Sequence, residues 1–461
     1  MESINLDKVK KVYVIGIKGS GVIAVVEILH AMGKEITGSD TEEKFFTDEI
    51  LQKLGINYTE GFSVDNLPRD ADLILRAASY NEENNVEVAE AKRRGLKVVY
   101  YPEILADLFN EKYGVAVCGT HGKTTTSAML ATVLKKAGKD PTAVIGGRVR
   151  QWGGNAIFGE SEYFVIEADE YQNKLALYEP KGVILTSLEF DHPDFYPTLE
   201  AYKKSFADFI GKIPQTGFLI AWGDSVNTDE IAKKCSGKVL TYGFGKENDL
   251  VIENYSLIAQ IQKFEIFFSG ESWGFFETKL VGKHNALNAA AVIGTCHQLG
   301  LDLDAAREAL FSFEGTTRRF ELIGERNGAK LIDDYGHHPE EINLTLKAAK
   351  EIYPDKNIIA VFHPHSYSRT EALLHDFAQS FDGADQVIVL DIYGSARENS
   401  GKVSSSDLVN LINKYNRDKA EYIATIDEVV EYLQDKIGPD DIVITIGAGN
   451  GWEVAEKLKE K

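Results

Sequence analysis

Val115-Ala116-Val117-Cys118 is a short apolar run that empties into Gly119-Thr120-His121-Gly122-Lys123-Thr124-Thr125-Thr126, and Ser127-Ala128-Met129-Leu130 opens a helical pattern. A strand, a glycine-bounded turn and a helix start, in that order, constrain this chain more than any other stretch. Together they place backbone N–H groups and a helix N-terminus around a phosphate. The Lys123 ammonium would lie over it, with a threonine hydroxyl left for Mg²⁺. The spacing departs from Gly-x-x-x-x-Gly-Lys-Thr, which needs glycine where Val117 stands, so the loop is Gly119-x-x-Gly122-Lys123-Thr124. The plainer alternative is an ordinary strand–helix turn.

Strand-like runs alternate with helix-like segments nearly throughout, the pattern of parallel α/β architecture. Expected strands are Val12 to Ile17, Leu73 to Leu75, Val115 to Cys118, Phe164 to Ile166, Val183 to Leu185, Ile358 to Phe362, Val387 to Leu390 and Ile442 to Ile446. From Leu250 to Lys279, alternation such as Phe264-Glu265-Ile266-Phe267 around Gly270 predicts antiparallel hairpins inserted in that architecture. At 461 residues the chain exceeds one core and suggests about three domains. Boundaries are expected near Phe109 to Tyr113 and Glu314 to Thr317, giving units 1–111, 112–315 and 316–461.

A net charge of −21 argues against nucleic acid as partner, because no basic stripe exists to release counterions. Anionic ligands must be held by glycine loops, helix ends and single cations. Cys118, Cys235 and Cys296 lack the spacing of a disulfide framework or zinc site. Residues 1–7 carry no signal-like apolar core and no run is long enough to span a membrane, so membrane insertion is not expected and a cytoplasmic location is.

Further sites follow strand ends. Gly16-Ile17-Lys18-Gly19-Ser20-Gly21 follows the first strand, in the order Gly-x-x-Gly-x-Gly rather than Gly-x-Gly-x-x-Gly. It suits a nucleotide diphosphate, less well NAD, or else a tight structural turn. Ser39-Asp40 ends the next strand, where an acidic group would meet a ribose or base. Glu167-Ala168-Asp169-Glu170 and Glu189-Phe190-Asp191-His192 end two strands on the phosphate-loop edge, where they either complete Mg²⁺ coordination or cap helices. Asn285 and Asn288 share a helix face and either bond an adenine edge or cap the helix. Asp333-Asp334-Tyr335-Gly336-His337-His338 and His363-Pro364-His365 with Arg369 crowd two later strand ends, fit for proton transfer and an anionic group. Arg318-Arg319 reaches phosphates across a cleft or links domains.

In order, these segments resemble the Mur ligase family, over essentially the whole length. The resemblance implies three α/β domains: a Rossmann-like N-terminal domain for a UDP-sugar, a central P-loop-type ATPase domain with an antiparallel β insertion, and a Rossmann-like C-terminal domain for an amino acid. It implies an ATP- and Mg²⁺-dependent ligase joining L-alanine to the lactyl carboxylate of UDP-N-acetylmuramate through an acyl phosphate, as monomer or homodimer. By motif, Lys123, His192 and His337 would be catalytic, and Thr124, Glu167 and His192 would hold metal. Gly119, Thr120, His121, Gly122, Lys123, Thr124, Thr125, Asn285, Asn288, Arg319 and Asp334 would bind ATP. Gly16, Lys18, Gly19, Ser20, Gly21, Ser39, Asp40 and Asn155 would bind the UDP-sugar, and Tyr335, His337, His365 and Arg369 the amino acid. Lys18 replaces a usual glycine and is expected to offer its ammonium to the diphosphate. Ser366 replaces a common arginine, and Phe206 stands where sister ligases carry a carbamylated lysine. Asn450-Gly451-Trp452 stands where Gly-Ala-Gly is commonly followed by aspartate. The rival readings are a ligase that adds an intact tripeptide to the same sugar nucleotide and a nucleotide-gated binding protein without ligase chemistry.

Overall fold

The structure, a computed structural model, describes residues 4–45, 47–394, 401–416 and 418–460. Three sheets follow one another along the chain. The first is all parallel, with β1 (Lys11–Ile15), β2 (Glu35–Asp40), β3 (Tyr58–Glu60), β4 (Leu73–Arg76) and β5 (Val98–Tyr100) in the order β3-β2-β1-β4-β5. The order reverses between β1 and β4, so the crevice at their C-terminal ends falls where the Gly16–Gly21 turn leaves β1. Gly16 takes a left-handed φ of +81°, and a Cβ there would stand 2.7 Å from Ala77 and the Tyr80 ring.

The central sheet has ten strands: β6 (Tyr113–Cys118), β7 (Thr142–Val149), β8 (Gly154–Ile157), β9 (Tyr163–Glu167), β10 (Gly182–Leu185), β11 (Phe218–Trp222), β12 (Lys238–Gly243), β13 (Leu250–Ile258), β14 (Ile261–Phe268) and β15 (Glu271–Thr278). Their order is β15-β14-β13-β12-β11-β10-β6-β9-β7-β8. The run β12 to β7 is parallel, and the β13-β14-β15 meander is antiparallel, as the alternation predicts. The helices Lys123–Lys136 and Lys283–Gln298 pack side by side on this sheet, the second presenting the small residues Ala286, Ala289 and Ala290 to the core. The first starts at Lys123, not Ser127. Its threonine-rich opening reads as loop, yet Gly122 at φ +77° turns the chain so that Lys123–Thr126 form the first turn.

The C-terminal sheet orders β16 (Glu321–Arg326), β17 (Ala329–Asp334), β18 (Asn357–Phe362), β19 (Gln386–Val389), β20 (Ala420–Tyr422) and β21 (Asp441–Ile446) as β16-β17-β21-β18-β19-β20. Only β16 runs antiparallel to its neighbour. In the approach to β16, Arg318 and Phe320 adopt left-handed backbone. The Arg318 guanidinium ties that turn down, donating to Asp333 at 2.9 Å and to the Gly447 carbonyl at 2.6 Å.

The β7–β8 hairpin turn joins all three sheets. Arg148 donates to Glu49 at 2.8 Å and Asn155 N–H to Glu27 at 3.0 Å, both toward the first sheet. On the other side Thr317 N–H donates to the Arg148 carbonyl at 2.9 Å, and Arg150 pairs with Glu321 at 3.0 Å.

Candidate functional site

The phosphate loop is built by two glycines that no other residue can replace without displacement. Gly119 has φ +133° and lies so close to the β10 end that a Cβ would stand 2.3 Å from Thr186 Oγ1; one on Gly122 would stand 2.6 Å from Asn288 Oδ1. Thr120 anchors the loop, its N–H donating to the Ser187 carbonyl at 3.0 Å and its hydroxyl to the Glu189 carbonyl at 2.9 Å. Inside the loop, Lys123 Nζ donates to the Thr120 and Gly119 carbonyls and lies 3.1 Å from Glu170. Burial alone would lower the Lys123 ammonium, but Glu170, Asp169 and Glu167 more than reverse this and hold it above its usual range.

Beside the lysine, the Thr124 hydroxyl donates to Glu167 at 2.8 Å, and Gly146 N–H donates to the other Glu167 oxygen at 2.5 Å. Burial raises the Glu167 carboxyl, against the pull of those two donors. A hydroxyl and a carboxylate at a loop–helix junction are hard oxygen donors, the set a Mg²⁺ ion takes. A second group, Asp169, Glu170 and His192, brings one ligand atom from each within 4.8 Å of the others. Glu170 is fixed by two tyrosines: Tyr202 donates to its carboxylate at 2.9 Å and Tyr196 to its carbonyl at 2.6 Å. Phe206 is fully buried, its ring centre 5.0 Å from that of Tyr202.

Between the central and C-terminal sheets lies a cavity of about 480 Å³. Thr125, Asn285, Asn288, Arg319 and Asp334 line it together with the loop residues His121 and Gly122, and Trp222, Tyr242 and Phe244 supply an apolar wall. The two asparagines are pre-oriented: Asn288 donates to Asn285 at 3.1 Å, and Asn285 to the Val281 carbonyl at 2.7 Å. Asp334 accepts from Phe320 N–H and Gly336 N–H, both at 2.8 Å, while burial pushes its carboxyl up to about 6.

Across the phosphate-loop edge, Arg369 Nε donates to Asp191 at 3.0 Å, both side chains less than a tenth exposed. His337 is partly buried, and desolvation with the neighbouring Arg369 charge brings its imidazole down to about 3. Its Nδ1 faces the Tyr335 carbonyl at 3.2 Å, which assigns the proton to Nδ1 and the lone pair to Nε2. His365 lies 6.5 Å from His337 between ring centres and stacks on Tyr393. The Tyr335 ring lies under the guanidinium groups of both Arg318 and Arg319. Ser366, with left-handed backbone at φ +69°, caps the turn that carries Arg369 by accepting its N–H at 3.2 Å. Asn450 bonds Glu453 at 3.1 Å, at the start of the last helix.

Three residues expected to bind the UDP-sugar, Lys18 and Ser39 beside the first sheet and Asn155 on β8 of the central sheet, turn their side chains inward. Lys18, expected to offer its ammonium to a diphosphate, instead has a fully buried side chain that donates to the Thr41 and Glu43 carbonyls at 2.8 and 3.0 Å, with Asp48 at 3.3 Å. The Ser39 hydroxyl turns inward to the buried Glu87, and the Asn155 side chain is fully buried, donating to the Ile145 carbonyl at 3.4 Å. In each case a strand-end or turn residue uses its polar group to close its own fold. Gly16, Gly19, Ser20 and Gly21 remain together at the β1 end, and Asp40 shapes that turn by accepting Lys18 N–H at 2.6 Å. Gly21 faces Tyr101, whose hydroxyl would stand 2.5 Å from a Cβ there.

The residues that sequence reasoning passed over are Glu341, Tyr202 and Glu27. Only Glu341 leaves a local signal: His338-Pro339-Glu340-Glu341 reads as a capping box, and the helix Pro339–Ile352 has one.

Family models match almost end to end: the Mur ligase family catalytic domain over 11–113, the Mur ligase middle domain over 117–296, and the Mur ligase glutamate ligase domain over 318–449. The chain is 39% identical over 449 residues to the UDP-N-acetylmuramate–L-alanine ligase of Desulfitobacterium hafniense, covering 97% of this chain and 99% of that one. It is 39% identical over 460 residues to the enzyme of the same name from Caldanaerobacter subterraneus, covering 99% of each. The crystal structure of UDP-N-acetylmuramate-alanine ligase from Thermotoga maritima superposes with a TM-score of 0.83 at 28% identity, covering 98% of each chain.

Proposed function

The chain belongs to the Mur ligase family, and from that premise we propose how its residues carry out the reaction. It is a UDP-N-acetylmuramate–L-alanine ligase, making a peptidoglycan precursor. The family's reactions depend on ATP. A carboxylate resists attack by an amine because it has no leaving group; phosphorylation by ATP supplies one. The amine of L-alanine then displaces phosphate through a tetrahedral intermediate.

Both steps build negative charge around a transferring phosphoryl group, so fixed positive charge is the main catalytic resource. Lys123 would leave Glu170 for the phosphates, and the N–H groups from Gly122 onward would bind them. Thr124 and Glu167 would hold a Mg²⁺ ion, with His192 and its acidic neighbours a second. Such ions neutralise phosphate charge and orient the acceptor carboxylate. Asn285 and Asn288 would contact the adenine edge and Asp334 the ribose, with Arg319 near the phosphates. The β1 turn at Gly16–Gly21, with Asp40, would take the UDP-sugar through backbone N–H groups. Tyr335, His337, His365 and Arg369 would receive the amino acid, with neutral His337 offering its Nε2 lone pair as a hydrogen-bond acceptor to the amine. Among the described residues no helix is long and apolar enough to cross a membrane. We place the enzyme in the cytoplasm, where its nucleotide substrates are.

The observation that carries this reading is the joint presence of the Lys123–Glu170 and Thr124–Glu167 pairs beside a cavity lined by Asn285, Asn288 and Asp334. The test uses UDP-N-acetylmuramate labelled with ¹⁸O in its carboxylate. With ATP and L-alanine, label is expected in the released phosphate. Product formed without label transfer refutes the acyl phosphate.

A further inference from the structure

Glu341 stands where the phosphate loop, the nucleotide cavity and the His337 turn converge. It is the third residue of its helix, and its Oε2 does what a capping glutamate does: it accepts His338 N–H at 3.3 Å and His337 N–H at 2.9 Å. Capping carboxylates usually leave their other oxygen to water. Here Oε1 points across the domain boundary, 3.2 Å from His121 Nδ1 in the phosphate loop and 3.7 Å from Arg319.

His121 completes the crossing. Its Nε2 lies 3.0 Å from Glu189, a carboxylate of its own domain, and its ring centre is 4.7 Å from that of His338. Burial would lower the His121 imidazolium, but the hydrogen-bonded Glu189 and the Glu341 carboxylate 3.2 Å from Nδ1 carry it up to about 10. The ring is therefore a cation held between two carboxylates of different domains. Buried charge clusters of this kind add little stability compared with apolar packing, and their best-attested use is to fix register.

Resting on the ligase reading above, we propose that Glu341 is a positioning residue for the second half of the reaction. Through His121 it registers the amino-acid side of the site, with His337, against the phosphate loop. The groups placed at the transferring phosphate, Lys123, Thr124 and Glu167, sit in the central domain with hydrogen bonds that stay within it, whereas Asp334 and Arg319 of the C-terminal domain would meet the bound nucleotide, which saturating ATP keeps in place. Phosphorylation of the carboxylate and attack by the amine thus depend unequally on Glu341.

Two variants test this from opposite sides of the boundary. Glu341→Gln keeps an acceptor for the His337 and His338 N–H groups but loses the charge toward His121. Glu189→Gln removes the carboxylate on the other side of the His121 ring and leaves the helix cap intact. At saturating ATP and UDP-N-acetylmuramate, the first half is read by positional isotope exchange in ¹⁸O-labelled ATP and the whole reaction by L-alanine-dependent ADP release. Each variant is expected to lower kcat for the whole reaction about 30-fold and raise KM for L-alanine, with isotope exchange changed by less than about threefold. The double variant is expected to be no slower than the slower single one. Equal loss in both halves, or losses that multiply in the double variant, overturns the proposal and leaves Glu341 a helix cap. If wild-type enzyme makes product without isotope exchange or label transfer, the acyl-phosphate reading itself fails and the proposal falls with it.

Discussion

Asp191→Asn probes how the C-terminal domain is held over the central one. Asp191 follows β10 and Arg369 follows β18, so their 3.0 Å contact spans two sheets. At that distance and an effective dielectric near 20, the attraction is about 5.5 kcal/mol. Desolvation offsets much of it, but removing one partner strands the other charge in a buried setting, at about 3–5 kcal/mol. Asparagine still accepts the Nε–H bond and recovers about 1 kcal/mol, leaving a loss of about 2–4 kcal/mol. Because the pair spans two domains, this loss falls on their docking rather than on either core. It corresponds to roughly a 30- to 1000-fold fall in the docked-to-undocked ratio. Hydrogen exchange at residues 314–320 and small-angle scattering would read it directly, and KM for L-alanine should rise. The apolar pair Asp191→Leu with Arg369→Met should restore exchange protection without restoring activity, separating docking from amino-acid binding. Unchanged exchange, scattering and KM in Asp191→Asn would refute this account.

Gly122→Ala should weaken ATP binding at least about tenfold, since left-handed backbone costs about 1–2 kcal/mol and the new Cβ would push Asn288 from 2.6 Å. Calorimetry with a non-hydrolysable ATP analogue checks this, and UDP-sugar affinity should be unchanged; ATP affinity within twofold of wild type contradicts it. Glu27 is raised to about 7 by burial, against hydrogen bonds from Asn155 and Ala156. Its folded value lies above its unfolded one, so the folded state holds the extra proton. Stability is full below about pH 4.5, falls as pH climbs toward 7, and is lower by about 2 kcal/mol above that, after allowance for partial exposure. Glu27→Gln should flatten this slope and raise Tm at pH 8; equal slopes in thermal melts from pH 5 to 8.5 would dismiss the assignment.

What the sequence discloses tracks how local each feature is. The phosphate loop is legible because strand, glycines, lysine and helix fall within sixteen residues and each has its own backbone reason. Glu167, His192, Asp334 and His337 are legible as polar groups at strand ends, where parallel sheets collect ligands. Side-chain direction is not. Ser39 and Lys18 sit at the right edge but bond Glu87 and Asp48, partners 48 and 30 residues away that no spacing rule connects. The domain contacts are less legible still: Asp191 meets Arg369, and His121 meets Glu341, across about 200 residues, joined only when separate cores dock.

The β7–β8 turn has a practical consequence for recombining such enzymes. Within ten residues it donates N–H groups to Glu167 and Glu27 and pairs Arg148 and Arg150 with Glu49 and Glu321. A chimera that swaps either outer domain at its linker alone imports a foreign partner for this turn and disturbs the carboxylate beside Thr124. Grafts that carry residues 146–155 along with the exchanged domain's matching acids would keep the seam intact. Crossover points for shuffling are better placed inside the sheets than between them.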